Sequence, residues 1–333
     1  MKLSSVIKYV LSILAAAVLL YVSFRGVDWK EFWTGIQSCR WEAVALAMAA
    51  SIAAFFFRSQ RWRCLLQPFD PDMDSLTTFN GVNIGYLANF LFPRIGEFVR
   101  CGFVSRRSRA RHADDPGKAV SYDRTLGTVL LSRTWDVMVV FLLIAVLLVA
   151  RWQRFGDFFA DRMWEPLHQK LSMNVWWLVA GIAAIALLLF LLIRHNGKGR
   201  TSGGKVAEFG RGIITGFKSF TQMPHKGAFL VYTVLIWAMY SLMSMSILWA
   251  MPQTVSMGWV DAWFICLAGS VAWMVPVPGG FGAYHGIVAL ALTSIYGLSW
   301  ETGVLCATLN HESQAITMMV CGIISYISEL TRK

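Results

Sequence analysis

Residues 81–100 read GVNIGYLANFLFPRIGEFVR, an apolar run stopped by a proline and followed at once by arginine, glutamate and arginine. Read as one continuous span, this stretch buries Pro93, Arg94, Gly96, Glu97 and Arg100 in hydrocarbon. Read as the tip of a hairpin, it places them at a turn. The rest of the chain decides between the two.

Of 333 residues, 56% are hydrophobic, 14% aromatic and only 15% charged, whereas soluble domains carry about a quarter charged residues. Several apolar runs reach the ~20 residues that a helix needs to cross a bilayer. The chain is therefore expected to be an all-α, polytopic integral membrane protein, organised as a single transmembrane domain over 1–333. A formal charge of +11 would point to nucleic acid in a soluble chain. Here the positive-inside rule accounts for it, and no nucleic-acid partner is expected. The six cysteines, Cys39, Cys64, Cys101, Cys266, Cys306 and Cys321, form no C-x-x-C pair. They read as small apolar residues in or beside helices, with no disulfide framework or zinc site. The N-terminal run over 1–24 is longer than a signal-peptide core and lacks a small-x-small cleavage pattern, so it reads as an uncleaved first span.

Six full spans are expected, at about 6–24, 43–57 (extending towards 63), 126–150, 175–193, 228–250 and 303–327. Two further apolar stretches, 79–92 and 262–275, are too short to cross comfortably, and both run into proline and glycine. Loop charge sets the orientation. Arg58, Arg61 and Arg63, the eight basic residues of 94–124 and the seven of 194–226 belong in the cytoplasm with both termini. The charge-mixed segments 25–42 and 151–174 belong outside. With those sides fixed, 79–105 must enter from the cytoplasm and return, and 262–297 must enter from outside and return. The order span, span, hairpin, span then repeats with opposite orientation over 1–150 and 175–333, an inverted repeat of the kind common in secondary transporters. Residues 194–227 form a basic cytoplasmic linker. It runs into an amphipathic helix carrying Phe209, Ile213, Ile214, Phe217 and Phe220, suited to an anionic leaflet surface.

A free backbone amide or carbonyl in lipid costs several kcal/mol, so interrupted helices survive only inside protein or beside a wet cavity. That focuses attention on the two breaks. At the first, Pro93 and Gly96 end the helix, Arg94 and Arg100 supply forked donors suited to phosphate, and Glu97 supplies one anion. Glu97 either neutralises the turn by pairing with Arg94 or Arg100, or helps hold an anionic headgroup. Asn80 and Asn83 share a helix face upstream, and with Asn89 are either capping amides or cavity donors. In the third span, SRTWDVMVV places Arg133 and Asp136 three apart inside an apolar helix. Such charges face a bundle interior, and their spacing favours an intrahelical pair. At the second break, VPVPGGFGAYHG, the residues Pro276, Pro278, Gly279, Gly280 and Gly282 forbid a continuous helix and offer loose amides to an anion. Tyr284 and His285 follow. The last span opens on LNHESQ, with His311 and Glu312 adjacent and so directed to different faces. No H-E-x-x-H, G-x-S-x-G or Walker A pattern occurs.

These residues carry a resemblance. The upstream asparagines with NFLFPRIGEFVR, the R-x-x-D of the third span and the P-G-G-x-G of a late hairpin, in this order over nearly the whole chain, resemble the flippase-like membrane domain of the lysylphosphatidylglycerol synthase/flippase family. The resemblance implies a domain that moves a phospholipid between leaflets. Arg94, Gly96, Glu97 and Arg100 match its first motif, and Pro278, Gly279, Gly280 and Gly282 its second. His285 stands where the family commonly has glutamate, and Asn310-His311 where it often has a Tyr-Arg pair, so the family's best-known substrate does not transfer. The synthase half is absent from this sequence.

The expected function is a lipid translocase acting on an anionic or zwitterionic phospholipid or lipid-linked headgroup. The alternatives are an intramembrane transferase or hydrolase acting on a lipid or lipid-linked sugar, and a non-catalytic accessory protein. No enzymatic chemistry, metal or cofactor is expected. The expected partners are membrane lipids; a homo-oligomer stays open, and no protein partner is indicated. The expected location is the cell membrane, a bacterial inner membrane, with cytoplasmic termini.

Overall fold

The computed structural model describes residues 3–92, 95–157, 205–275 and 277–332, and every regular element among them is helical. In order these are α1 (Leu3–Phe24), α2 (Trp29–Gln37), α3 (Trp41–Leu66), α4 (Ser75–Leu91), α5 (Gly96–Arg111), α6 (Tyr122–Asp157), α7 (Lys205–Phe217), α8 (Lys226–Ala250), α9 (Trp259–Ala272), α10 (Ala283–Tyr296) and α11 (Trp300–Thr331). Single turns lie at Pro116–Lys118, Ser219–Gln222 and Pro278–Gly280. The expected span at 175–193, the Gly/Lys run of 194–204, and Pro93, Arg94 and Pro276 lie outside the described residues.

Helices α3, α6, α8 and α11 are long and apolar enough to cross a membrane, and α1 forms a bent pair with α2 at 88°. The bend has a local cause. Gly26 takes φ 82°, and Asp28 then caps α2 by accepting from the backbone N–H of Lys30 at 2.8 Å and of Glu31 at 3.2 Å. The long helices expose large apolar side chains, among them Val18 of α1, Phe141 and Leu142 of α6, Val234 of α8 and Ile324 of α11. A soluble domain would bury such rows; a lipid-facing one presents them. The chain is a multi-pass, all-α membrane protein. The span expected at 126–150 corresponds to the regular part of α6, which kinks at Arg151 (φ −144°, ψ 40°).

Both short apolar stretches fold as helical hairpins. Helix α5 returns along α4 with the backbones almost touching: a Cβ on Gly96 would lie 2.0 Å from the Gly85 carbonyl oxygen, and one on Gly81 would meet Val104 and Phe103. Helix α10 returns along α9 in the same way, with Gly269 against the Tyr284 ring and the Tyr296 hydroxyl donating to Asp261 at 2.9 Å. The turn between α9 and α10 needs glycine at 282, where φ is 78° and a Cβ would sit 2.4 Å from the Leu20 amide nitrogen. Helix α11 runs beside both hairpins. Gly303 packs on Ala289 of α10, and Gly322 packs on Asn83 and Leu87 of α4.

Two cores result. One gathers α2, the last turns of α8, and α9, α10 and the start of α11; the other gathers the end of α3, with α4, α5, the start of α6 and Phe229 of α8. Helix α7 docks on α6 through Gly216 against Gly127, with Tyr122 stacked on Phe209 at 6.4 Å. Ile213 of the expected amphipathic face packs inward, while Phe209 and Phe217 stay exposed.

The ends of α4, α5 and α11 are tied together ionically. Asp74 caps α4 through the Thr77 backbone N–H at 2.6 Å, and also takes Arg111 and, at 3.1 Å, Arg332. Glu329 takes Arg107 at 2.6 Å and the Asn80 amide at 2.7 Å. Partial burial works to raise the Asp74 carboxyl, but the hydrogen bonds from Thr77 and Arg332 and the charge of Arg111 outweigh it and hold it below the ordinary aspartate range.

Gly96→Ala should lower stability by about 1–3 kcal/mol through overpacking, measured as thermal unfolding in detergent, whereas Gly227→Ala, with nothing within 4 Å of the new methyl, should be neutral. Because the folded Asp74 carboxyl titrates below its unfolded counterpart, its contribution is complete above the ordinary aspartate range and is lost as pH falls through the folded value. Hydrogen-exchange protection over 325–332, taken against the unstructured rate at each pH, should therefore fall only in acid, and Asp74→Ala should show that loss already at neutral pH.

Candidate functional site

A cavity of about 590 Å³ lies between the two hairpins, walled by α3, α6, α8 and α11. Glu97 and Asn89 reach it from the first hairpin, and Trp273, Gly279, Gly280 and Tyr284 from the second. The two breaks meet there. Phe90 and Phe281 pack edge-on with ring centroids 6.3 Å apart, and a Cβ on Gly279 would come 3.2 Å from the Phe90 ring.

Charge enters the cavity from α3, α5 and α6. Glu97 pairs with Arg133 rather than with Arg100. Asp136 takes Arg58 at 3.2 Å and Arg61, both one helix away on α3, rather than Arg133 three residues back. The intrahelical pair expected from the R-x-x-D spacing therefore does not form. Each charge finds a partner on a neighbouring helix, which neutralises it while tying α6 to α3 and to α5. Arg61 is fully buried, and also donates to the Ser132 hydroxyl at 3.1 Å. Arg133 is the most open of the five charged residues just paired, with 38% of its side chain exposed.

Several expected site residues fall elsewhere. Arg100 is buried behind the cavity, its guanidinium 5.0 Å over the Trp62 ring. A face-on aromatic ring provides the electrostatic partner there. Asn80 is taken by Glu329, and Asn83 donates to the Phe79 carbonyl at 3.1 Å, so neither lines the cavity. Asn89 serves the break itself: its side-chain oxygen accepts from the Gly96 backbone N–H at 2.7 Å.

The second break is held from α11 and α1. The His311 Nε2 lies 2.8 Å from the Gly279 carbonyl oxygen, and the Ser23 hydroxyl lies 3.0 Å from that of Gly282. His285 is buried next to His311, with ring centroids 5.0 Å apart and its Nε2 3.5 Å from Glu312. Glu312 folds back to reach His311 at 2.9 Å, so the two do not diverge as adjacent helix positions predict. Pro278 opens the single turn that presents Gly279 and Gly280.

Loop charge places Arg58 and Arg61 after the second span, in its extension towards 63 on the cytoplasmic side. They lie inside α3, which continues to Leu66, and they supply the cavity's counter-charge to Asp136. Their spacing of three within RSQRWR was the available signal. Tyr240, whose ring lies 5.9 Å from the Arg58 guanidinium, and Asn310 and Gln314 also line the cavity and were not singled out as site residues. Towards the outside, the lining becomes apolar and exposed at Phe98, Leu130, Val137, Phe141 and Met274. The exposed rim of the cavity next to α5 and α6 is therefore apolar.

A family model described as the lysylphosphatidylglycerol synthase TM region matches residues 7–322. No curated protein matches the chain.

Asp136→Ala should cost about 3–5 kcal/mol, because it leaves Arg61 as an uncompensated buried charge. Adding Arg61→Met should recover a large part of that loss. A double-mutant cycle of thermal unfolding in detergent checks this, and additive costs would mean that the pair is not coupled.

Proposed function

The chain belongs to the lysylphosphatidylglycerol synthase transmembrane-region family, a premise that ties it to membrane lipids, and we propose that it is a lipid translocase. The observation that carries the reading is a charged cavity set between two adjoining helix breaks, with an exposed apolar rim. In this reading a phospholipid or lipid-linked headgroup enters past this rim while its chains stay in the bilayer.

Arg133 exchanges Glu97 for the headgroup phosphate, since a guanidinium offers a forked pair of donors that matches phosphate oxygens. Arg58 supplies a second cation deeper in, still balanced by Asp136. Arg94 of the motif falls outside the described residues, and Arg100 acts only as a fixed positive charge behind the break. Tyr284, Gly279 and Gly280 form the opposite wall and face the headgroup's far side. Glu97, released from Arg133, is free to meet a cationic group on a zwitterionic lipid.

The same reading makes the two hairpins re-entrant from opposite sides, in halves related by inverted topology, with the basic segments and both termini in the cytoplasm of a cell-membrane protein. No covalent step is assigned to any side chain, in keeping with a transport role.

Purified protein in vesicles carrying labelled phosphatidylglycerol, phosphatidylethanolamine or a polyprenyl phosphate should speed leaflet exchange above protein-free vesicles for at least one of them. Arg133→Met should reduce that rate about tenfold or more, the loss of one charge-assisted hydrogen bond, while the exposed Lys118→Met should not. Exchange no faster than in empty vesicles for all three lipids removes the proposal.

A further inference from the structure

His285 on α10 and His311 and Glu312 on α11 play no part in the cavity's arginine–carboxylate pairing, yet they converge. Each offers one ligand atom, and the three atoms lie within 4.8 Å of one another. The two histidines are buried, His311 fully, and Glu312 keeps 35% of its side chain exposed.

The hydrogen-bond geometry fixes what these atoms are. The His311 Nε2 stands 2.8 Å from the Gly279 carbonyl oxygen. A carbonyl oxygen only accepts, so Nε2 carries the hydrogen and, in the neutral ring, Nδ1 carries a lone pair. That lone pair faces the Glu312 Oε1 at 2.9 Å. Two electron-pair donors at this separation require a shared electropositive centre between them. The His285 Nε2 brings a third donor to within 3.5 Å of the same Oε1. A proton bridges two of the three; a metal ion takes all three.

We propose that His285, His311 and Glu312 form a binding site for a divalent transition metal of the zinc class. Two imidazoles and one carboxylate are a donor set that Zn²⁺ accepts, and bonds of about 2.0–2.2 Å in tetrahedral geometry put ligand atoms about 3.4 Å apart. The His285–Glu312 separation of 3.5 Å is already at that spacing, and the His311–Glu312 contact needs to open by only about 0.5 Å to reach it. His311 also has the outer contact typical of metal-bound histidines, its second ring nitrogen donating to a backbone carbonyl and so fixing ring and tautomer. Three protein ligands leave a fourth coordination position for water or another donor.

The site joins α10 to α11 and, through His311, to the glycine turn of the second break. It stands apart from the transport reading and does not depend on it. The other such group, Asp70, Asp72 and His112, carries no such claim, because Ser108, Arg111 and His112 already occupy the Asp70 carboxylate and Asp72 is exposed.

The test uses the full chain in detergent, stripped with chelator and titrated with Zn²⁺ alone, then with Co²⁺ as a spectroscopic probe. Uptake of about one Zn²⁺ per chain is expected, with Co²⁺ giving the intense visible absorption of a four-coordinate ion. His285→Asn, His311→Ala and Glu312→Gln should each weaken Zn²⁺ binding at least about 100-fold, whereas His112→Ala should leave it unchanged. Zn²⁺ should raise the unfolding temperature of the unaltered protein and not that of Glu312→Gln. Should His311→Ala fail to fold, the near-isosteric Glu312→Gln and His285→Asn still decide. No stoichiometric Zn²⁺ uptake, uptake unaffected by Glu312→Gln and His285→Asn, or uptake lost with His112→Ala overturns the site.

Discussion

A helix that stops inside an apolar segment leaves backbone amides and carbonyls which neither lipid nor an apolar core can satisfy, at several kcal/mol for each group left bare. Among the described residues the chain stops twice in that way, and side chains from three different helices take up the freed groups. Asn89 accepts from the amide of Gly96; His311 holds the carbonyl of Gly279; the hydroxyl of Ser23 reaches that of Gly282. Because these helpers come from α4, α11 and α1, satisfying the backbone also determines which helices must be neighbours. The close packing of Gly96 on Gly85, and of Gly282 on α1, follows from the same requirement.

The charges obey a parallel rule. Glu97 and Asp136 are each matched across a helix interface, and Arg61 is held on two sides, by Asp136 and by Ser132. Arg100 differs, being set against the face of Trp62. The result is a polar interior in which two carboxylates hold three arginines, the five residues drawn from α3, α5 and α6.

Much of the fold was legible in residue order. Low charge content and long apolar runs give helices and a membrane, and the Pro/Gly motifs mark both hairpins where the structure has them. Partners across helices were not legible. R-x-x-D reads as a local pair because sequence shows only its own helix, whereas Asp136 is claimed by Arg58 and Arg61 of α3. Those arginines read as the cytoplasmic side of the span because a run of basic residues ordinarily marks its end; α3 instead carries them inward and continues to Leu66. His285, His311 and Glu312 escaped notice as a group because 26 residues separate the first two. Adjacent helix positions diverge by rule, yet the flexible Glu312 side chain bends back.

On the proposed translocase reading, the apolar rim of the cavity, formed by Phe98, Leu130, Val137, Phe141 and Met274, carries a consequence for substrate choice. A molecule admitted through such a rim never has to bring its fatty portion out of oil, so the length and saturation of that portion drop out of the energetics. Discrimination would then rest on the polar end alone, and two lipids differing only in their tails would compete as equals.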